Sequence, residues 1–186
     1  MYKNTAIKDY LNQLAAKLPV PGGGSSSALC AASAAALVSM VVNFTLGNPR
    51  YLKYEKKLRK VLDKSESLRK EFLRLVDLDA VAYESKNIRD AFNVPFMVSR
   101  LCFEGIKLCP ILIRQGNINL VSDAAIAAVL FEAGFSSACF NIEVNLKSMN
   151  DKNLSREVAK ELRQKNRMIR KIRAQVEERV GKIIRG

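Results

Sequence analysis

The sequence predicts an all-α fold, a multi-helix up-and-down bundle, and three observations carry the prediction. Apolar residues recur at three- and four-residue spacing through most of the 186 positions. The strict alternation and turn pairs that mark strands and hairpins are almost missing. Residues 18 to 49, Leu18 to Pro49, hold no charged side chain, in a chain with 31 lysines and arginines. Such a stretch, small or apolar on every side, is expected to be the central helix of a bundle, where small side chains let neighbouring helices approach closely.

The elements follow in order. An amphipathic helix is predicted over Ile7 to Lys17, then the uncharged helix from Ser25 to Leu46, broken by Gly47-Asn48-Pro49. In the next, long helix Leu58, Leu62, Leu68, Phe72, Leu75, Asp79 and Tyr83 recur at helical spacing, and the pattern fades toward Asn93 and Pro95. Pro95 suits a new helix start, which runs to Arg114 with a kink or local end at Pro110. Gly116-Asn117-Ile118-Asn119 reads as a turn and Ser122 as an N-cap, with Asp123 in the first turn of a small-residue helix reaching Met149. After Asn150-Asp151 a last helix sets Leu154, Val158, Leu162, Ile169, Ile172, Val176, Val180 and Ile183 on one stripe, with Arg and Lys opposite.

Composition narrows the chemistry. A chain of 186 residues fits one domain, and its first ten residues lack the apolar run of a signal peptide, so the expected location is the cytoplasm. Leu18 to Pro49 is long enough to span a bilayer, but alanine and serine dominate it, and no membrane insertion is expected. The four cysteines show no CxxC spacing and there is no histidine, which argues against structural zinc and disulfides. Without histidine, Ser-His-Asp and Cys-His machinery is excluded, leaving carboxylates, lysines, tyrosines and cysteines to move protons.

The net charge of +13 is unevenly placed: residues 50 to 74 carry +6 and residues 151 to 186 carry +7, whereas residues 75 to 150 carry −2. Two basic helical arms of this kind meet polyanions or lie solvated. A basic helical protein binding RNA or an acidic partner without catalysis is the alternative function. No basic motif interleaved with aromatics supports it, so nucleic acid is not the expected partner.

Two places invite chemistry. At about 100° per residue, Asp79 falls within about 40° of Leu68, Phe72, Leu75 and Tyr83, whereas Asp77 falls on the other side of the helix. A carboxylate in a core-facing stripe must be hydrogen-bonded, paired or used, and burial raises its pKa, which is how a general base or acid is tuned. It can equally cap a neighbouring helix. The second place is Pro19-Val20-Pro21-Gly22-Gly23-Gly24-Ser25-Ser26-Ser27. Its glycines expose backbone N–H groups, and Ser25, Ser26 or Ser27 can cap the helix behind them, so anionic or carbonyl-bearing groups suit the site. Neither a P-loop nor a dinucleotide fingerprint is present.

Taken together, four segments resemble the cyclodeaminase/cyclohydrolase family of folate enzymes. They are Pro19 to Ser25 before the alanine-rich helix, Leu75-Val76-Asp77-Leu78-Asp79-Ala80-Val81-Ala82-Tyr83, Gly116-Asn117 with Ser122-Asp123, and Asn141-Ile142-Glu143-Val144-Asn145-Leu146. The resemblance implies a helical homodimer acting on one-carbon units carried by tetrahydrofolate, with no permanently bound cofactor. Its reactions are hydrolysis of 5,10-methenyltetrahydrofolate to 10-formyltetrahydrofolate and cyclodeamination of 5-formiminotetrahydrofolate, the first slightly preferred because no formiminotransferase domain is fused here. It also implies that Asp79 is the catalytic carboxylate. Gly22, Gly23, Gly24, Ser25, Asn117, Ser122, Asp123, Asn141 and Asn145 are then expected to hold substrate, and the basic arms a polyglutamate tail. Only 15 residues separate Asp79 from Pro95, fewer than the family usually places there.

Overall fold

The computed structural model describes residues 1–186 and is helical throughout. Seven α-helices follow one another: α1 Ile7–Ala15, α2 Gly23–Asn43, α3 Glu55–Glu84, α4 Ile88–Ile106, α5 Cys109–Gln115, α6 Val121–Met149 and α7 Lys152–Arg185, with 3-10 turns at Tyr2–Asn4, Pro49–Tyr54 and Ile118–Leu120. The all-α expectation holds.

Helix α2 is the central element, packed against α3, α4, α5 and α6. Its alanines 28, 31, 32, 34 and 35 are buried, which is why a helix with so little apolar bulk can be the axis of the bundle. Hydroxyls in and just after this apolar helix are satisfied locally: Ser27, Ser33, Ser39 and Thr45 each donate to the carbonyl four residues earlier. Ser39 also meets Ser65 of α3 at 2.8 Å, a buried polar tie between the two helices. The largest buried side chains, Phe72, Phe131 and Phe135, surround α2 from α3 and α6, with Phe72 and Phe131 6.3 Å apart. Gly105 of α4 faces this cluster, and a Cβ there would overlap the Phe131 ring.

Side-chain contacts fix the directions. Asp79 of α3 meets Ser25 at the start of α2, Asn117 just before α6 meets Thr45 just after α2, and Asn145 of α6 meets Ala91 at the start of α4. Thus α3 and α6 run antiparallel to α2, and α4 antiparallel to α6, the up-and-down order expected. Helix α7 closes the bundle with Val158, Leu162, Ile169, Val176 and Val180 buried. Glu132 of α6 pairs with Arg173 at 2.8 Å, and Arg100 of α4 with Glu161 at 3.1 Å. Other basic side chains of α3 pair within their own helix, as Arg69 does with Glu66 and Arg74 with Glu71.

Several expected boundaries move. Helix α2 starts at Gly23 with Gly22 as N-cap, so the glycines form its first turn and no serine side chain caps it. The long helix stops at Glu84, and α4 begins at Ile88, capped by the Asn87 side chain, which accepts from the Arg89 N–H. Pro95 therefore lies inside α4 and does not start it. Pro110 sits in the first turn of the separate helix α5, where its missing N–H is no loss. Ser122 is not an N-cap, because the 3-10 turn Ile118–Leu120 runs directly into α6. At the far end Asn150 takes a left-handed conformation with φ 53°, and the Asp151 carboxylate accepts from the Asn153 and Leu154 N–H groups to start α7.

Helices α2 and α6 are both long and apolar enough to cross a membrane by length and composition. In the fold they pack against each other. Helix α6 nevertheless leaves Ile126, Val129, Phe140 and Val144 exposed.

Candidate active site

Where α2 and α4 begin and α3 and α6 approach their ends, the chain leaves a cleft of about 230 Å³. Its walls are Pro19, Val20 and Gly22 to Gly24 from the start of α2, Asp79 and Tyr83 from α3, Ala91 from α4, and Asn141 and Asn145 from α6. No lysine or arginine lines it.

Asp79 reaches the start of α2, where the Ser25 N–H donates to its Oδ2 at 2.8 Å. The first turn of a helix has N–H groups with no intrahelical acceptor and carries the positive end of the dipole, so a carboxylate is well placed there. Gly24 makes the approach possible. A Cβ on Gly24 would lie 2.6 Å from the Asp79 Cγ, closer than side chains pack. Burial raises the Asp79 pKa above the ordinary carboxylate range, and the Ser25 N–H opposes part of that rise. The Oδ1 oxygen accepts no hydrogen bond from the protein, leaving it free for a ligand. One carboxylate thus caps α2 and lines the cleft at once.

Asn145 is fixed by a gap in α4. Proline has no N–H, so Pro95 cannot donate to the carbonyl four residues earlier, Ala91. The Asn145 Nδ2 fills the vacancy, donating to the Ala91 carbonyl at 2.6 Å. Pro95, unexpected inside a helix, therefore positions a cleft residue on another one. Asn141 is one turn away on α6; its Nδ2 donates to the Ser137 carbonyl at 3.3 Å, and a Cβ on Gly23 would meet its amide at 3.9 Å.

The expected site residues divide into two groups. Gly22, Gly23, Gly24, Asp79, Asn141 and Asn145 line the cleft. Ser25 is fully buried behind it and contributes its N–H, while its hydroxyl lies 3.1 Å from the Tyr10 phenol. Asn117, Ser122 and Asp123 lie at the other end of the bundle. The Asn117 N–H donates to the Thr45 hydroxyl at 2.9 Å, beyond the far end of the 21-residue α2, about 30 Å from Gly23. Asp123 precedes Asn141 on the same helix by about 27 Å. Within the chain these three belong to no common site with Asp79. Asn117 instead caps the 3-10 turn Ile118–Leu120.

Two further expectations change. Asp77, placed by periodicity away from the core, is 6% exposed, because the N-terminal segment folds over it: the Lys3 N–H donates to Oδ1 at 3.2 Å and the Lys3 Nζ lies 3.9 Å from Oδ2. Tyr83, taken as part of the core stripe, is 60% exposed and forms a cleft wall. Tyr83 and Ala91 were not foreseen as site residues. Tyr83 sits one helical turn after Asp79, a spacing that signals a shared face, but nothing local marks Ala91 except the proline four residues on.

The sequence model of the family described as formiminotransferase-cyclodeaminase matches residues 6–87 and 84–164. The chain is 36% identical to a methenyltetrahydrofolate cyclohydrolase of Methylorubrum extorquens, over 87% of this chain and 89% of that protein. It is 27% identical to the formimidoyltransferase-cyclodeaminase of Mus musculus over 80% of this chain, which spans 32% of that longer protein. The crystal structure of a formiminotetrahydrofolate cyclodeaminase from Thermotoga maritima superposes with a TM-score of 0.93 at 26% identity, covering 99% of this chain and 100% of that one.

Proposed function

Because the chain belongs to the formiminotransferase-cyclodeaminase family, we propose that the cleft at the start of α2 is a folate site in which Asp79 moves the proton during one-carbon interconversion. The protein is a folate enzyme of the cyclohydrolase and cyclodeaminase type. The observation that carries the site assignment is the meeting of a raised-pKa carboxylate with glycine N–H groups and two asparagine amides in one cleft. The hydrolytic reaction is favoured by the 36% identical cyclohydrolase, which matches nearly end to end.

In that reaction the substrate carbon is bonded to N5 and N10 and shares a positive charge with them. Ionised Asp79 beside it stabilises the cation and takes a proton from the attacking water through Oδ1. A carbon–oxygen bond forms, the carbon–N5 bond breaks, one water proton ends on N5 and the other leaves to solvent, giving the 10-formyl product. Cyclodeamination needs the same geometry. N10 attacks the carbon of the protonated formimino group, Asp79 takes the N10 proton and delivers it to the NH2 group so formed, and the carbon–nitrogen bond breaks to release ammonia and leave the methenyl cation. A cleft whose other side chains are uncharged suits both, since Asp79 is then the nearest charge to the reacting carbon.

The Gly23 and Gly24 N–H groups and the amides of Asn141 and Asn145 are placed to hold the pterin edge. Lys147, Lys152 and Arg156 border a groove beginning one residue beyond Asn145, and we assign it to the carboxylates of the glutamate tail. A volume of about 230 Å³ is below the roughly 300–1,000 Å³ of sites that enclose a drug-sized ligand. It holds the bicyclic head of a folate and leaves the rest outside.

A second copy supplies further walls. Helix α6 leaves Phe140 71% and Val144 65% exposed, next to Asn141 and Asn145, and we assign that face to a homodimer interface. An antiparallel pairing of the two faces would carry the Asp123 end of one copy to the glycine end of the other, returning Asn117, Ser122 and Asp123 to the site.

The deciding assay follows loss of methenyltetrahydrofolate absorbance with the purified protein, in parallel with the formimino substrate. Asp79→Asn is expected to abolish turnover with helicity intact. Full activity in this variant would remove Asp79 from the mechanism.

A further inference from the structure

The N-terminal ten residues make contacts that packing alone does not require. Lys3 engages Asp77 through both its N–H and its Nζ, and Tyr2 packs edge-on against Tyr10 with ring centroids 5.8 Å apart. Tyr10 is 4% exposed, and its phenol oxygen lies 3.1 Å from the Ser25 hydroxyl. Ser27, Ser33 and Ser39 turn their hydroxyls back along α2 to the carbonyl four residues earlier. Ser25 departs from that habit, and its hydroxyl has the phenol as its partner. The same residue gives its N–H to Asp79. A hydrogen-bonded line therefore runs from α1 through the first turn of α2 to the carboxylate on α3.

We propose that Tyr10 is a positioning residue for Asp79, acting through Ser25: the phenol holds the first turn of α2 so that the Ser25 N–H stays on Oδ2 and Oδ1 stays turned to the substrate. The inference rests on Asp79 being the catalytic carboxylate. Tyr10 touches neither the cleft nor the reacting atoms, and a phenylalanine would fill its volume equally well, so the hydroxyl is the informative group.

The surroundings of Asp79 make the coupling measurable. From α2 it faces an uncharged first turn, from α6 Asn141 and Asn145, and from α4 Ala91. The titratable groups around it are Tyr83 on its own helix and Tyr10 on α1, with the Asp77–Lys3 pair on the opposite side of α3. The Ser25 N–H is the interaction that holds its pKa down against burial. Loosening that bond raises the pKa further.

The test is Tyr10→Phe in the full chain, read by kcat, KM, the pH profile of kcat, and the carboxyl titration of Asp79 followed by carbon-13 NMR. The expected result is a fall in kcat of about three- to tenfold, the worth of one neutral hydrogen bond, with KM within about twofold. The acid limb and the carboxyl titration should move together to higher pH. Ser25→Ala should reproduce the shift, and adding Tyr10→Phe to it should change the titration no further. If Tyr10→Phe does not fold, Ser25→Ala alone decides by the same titration. An unmoved titration overturns the proposal, whether or not kcat or the melting temperature drops. Retained activity in Asp79→Asn would instead overturn the assignment of Asp79, while the NMR titration would still report whether Tyr10 is coupled to it.

Discussion

Gly24→Ala isolates the contact between α2 and Asp79 with a single methyl group. The added Cβ would lie 2.0 Å from the Asp79 Oδ1 and 2.6 Å from its Cγ, where ordinary contact begins at 3.4 Å. The carboxylate must therefore retreat by about 1.4 Å. A retreat of that size along the 2.8 Å bond from the Ser25 N–H stretches it to about 4.2 Å, beyond hydrogen-bonding range. Losing a hydrogen bond to a charged group is worth about 1.5–3 kcal/mol, and alanine returns about 0.5–1 kcal/mol as the better helix former. The net loss is about 0.5–2.5 kcal/mol, or roughly 1–10 °C in Tm for a chain of this size. Displacing the reacting group by about 1 Å already costs on the order of 100-fold in kcat/KM, equal to about 2.7 kcal/mol. Activity should therefore fall further than stability. The control is Gly105→Ala on α4, about 21 Å along the helix from Ala91. Its Cβ meets the Phe131 ring, so it should lose about 1–3 kcal/mol by overpacking while keeping kcat. Both variants are compared by thermal melts and by the methenyltetrahydrofolate assay. A folded Gly24→Ala protein with more than about half the parent kcat/KM would refute the argument that the glycine serves Asp79.

Burial raises the Asp79 pKa, so the stability from keeping this group neutral is fully present below the unfolded-state pKa of about 3.9 and is lost as pH rises through the folded-state value. Asp79→Asn, neutral at every pH and still able to accept from Ser25, should thus match or exceed the parent's Tm at pH 7, with the gap closing in acid; a Tm several degrees lower at pH 7 would contradict this. The parent's kcat should fall on the acid side with a midpoint above the ordinary carboxylate range. Asn145→Ala should cost about 0.5–1.5 kcal/mol by removing the donor to the Ala91 carbonyl, and adding Pro95→Ala, which restores the N–H donor inside α4, should recover part of the loss in chemical denaturation. Phe140→Glu should convert the proposed homodimer to monomer in sedimentation with the helical spectrum unchanged; an unaltered sedimentation coefficient would refute the assignment of this face as the interface.

The proline in α4 and the serines in α2 show where reading along the chain stops. A proline after a fading pattern reads as a helix start, because its missing N–H is harmless only there. Pro95 is tolerated inside α4 because Asn145, 50 residues later, supplies the donor. Serines ahead of an alanine run read as caps, yet the cap on α2 comes from Asp79 on another helix. Asp77 and Tyr83 exchanged expected environments for a similar reason: angle along α3 says nothing of the N-terminal segment that folds over one and of the cleft that opens beside the other.

The sequence by itself determined the all-α class and the central place of α2, and it singled out Asp79 as a candidate, because periodicity and the run without charge are local properties that any packing must respect. Tertiary structure decided which helix ends meet. Antiparallel packing brings the starts of α2 and α4 to the ends of α3 and α6, gathering Gly24, Asp79, Asn141 and Asn145 and leaving Asn117, Ser122 and Asp123 a helix length away. That distance is set by the direction of each helix, which no motif of a few residues encodes.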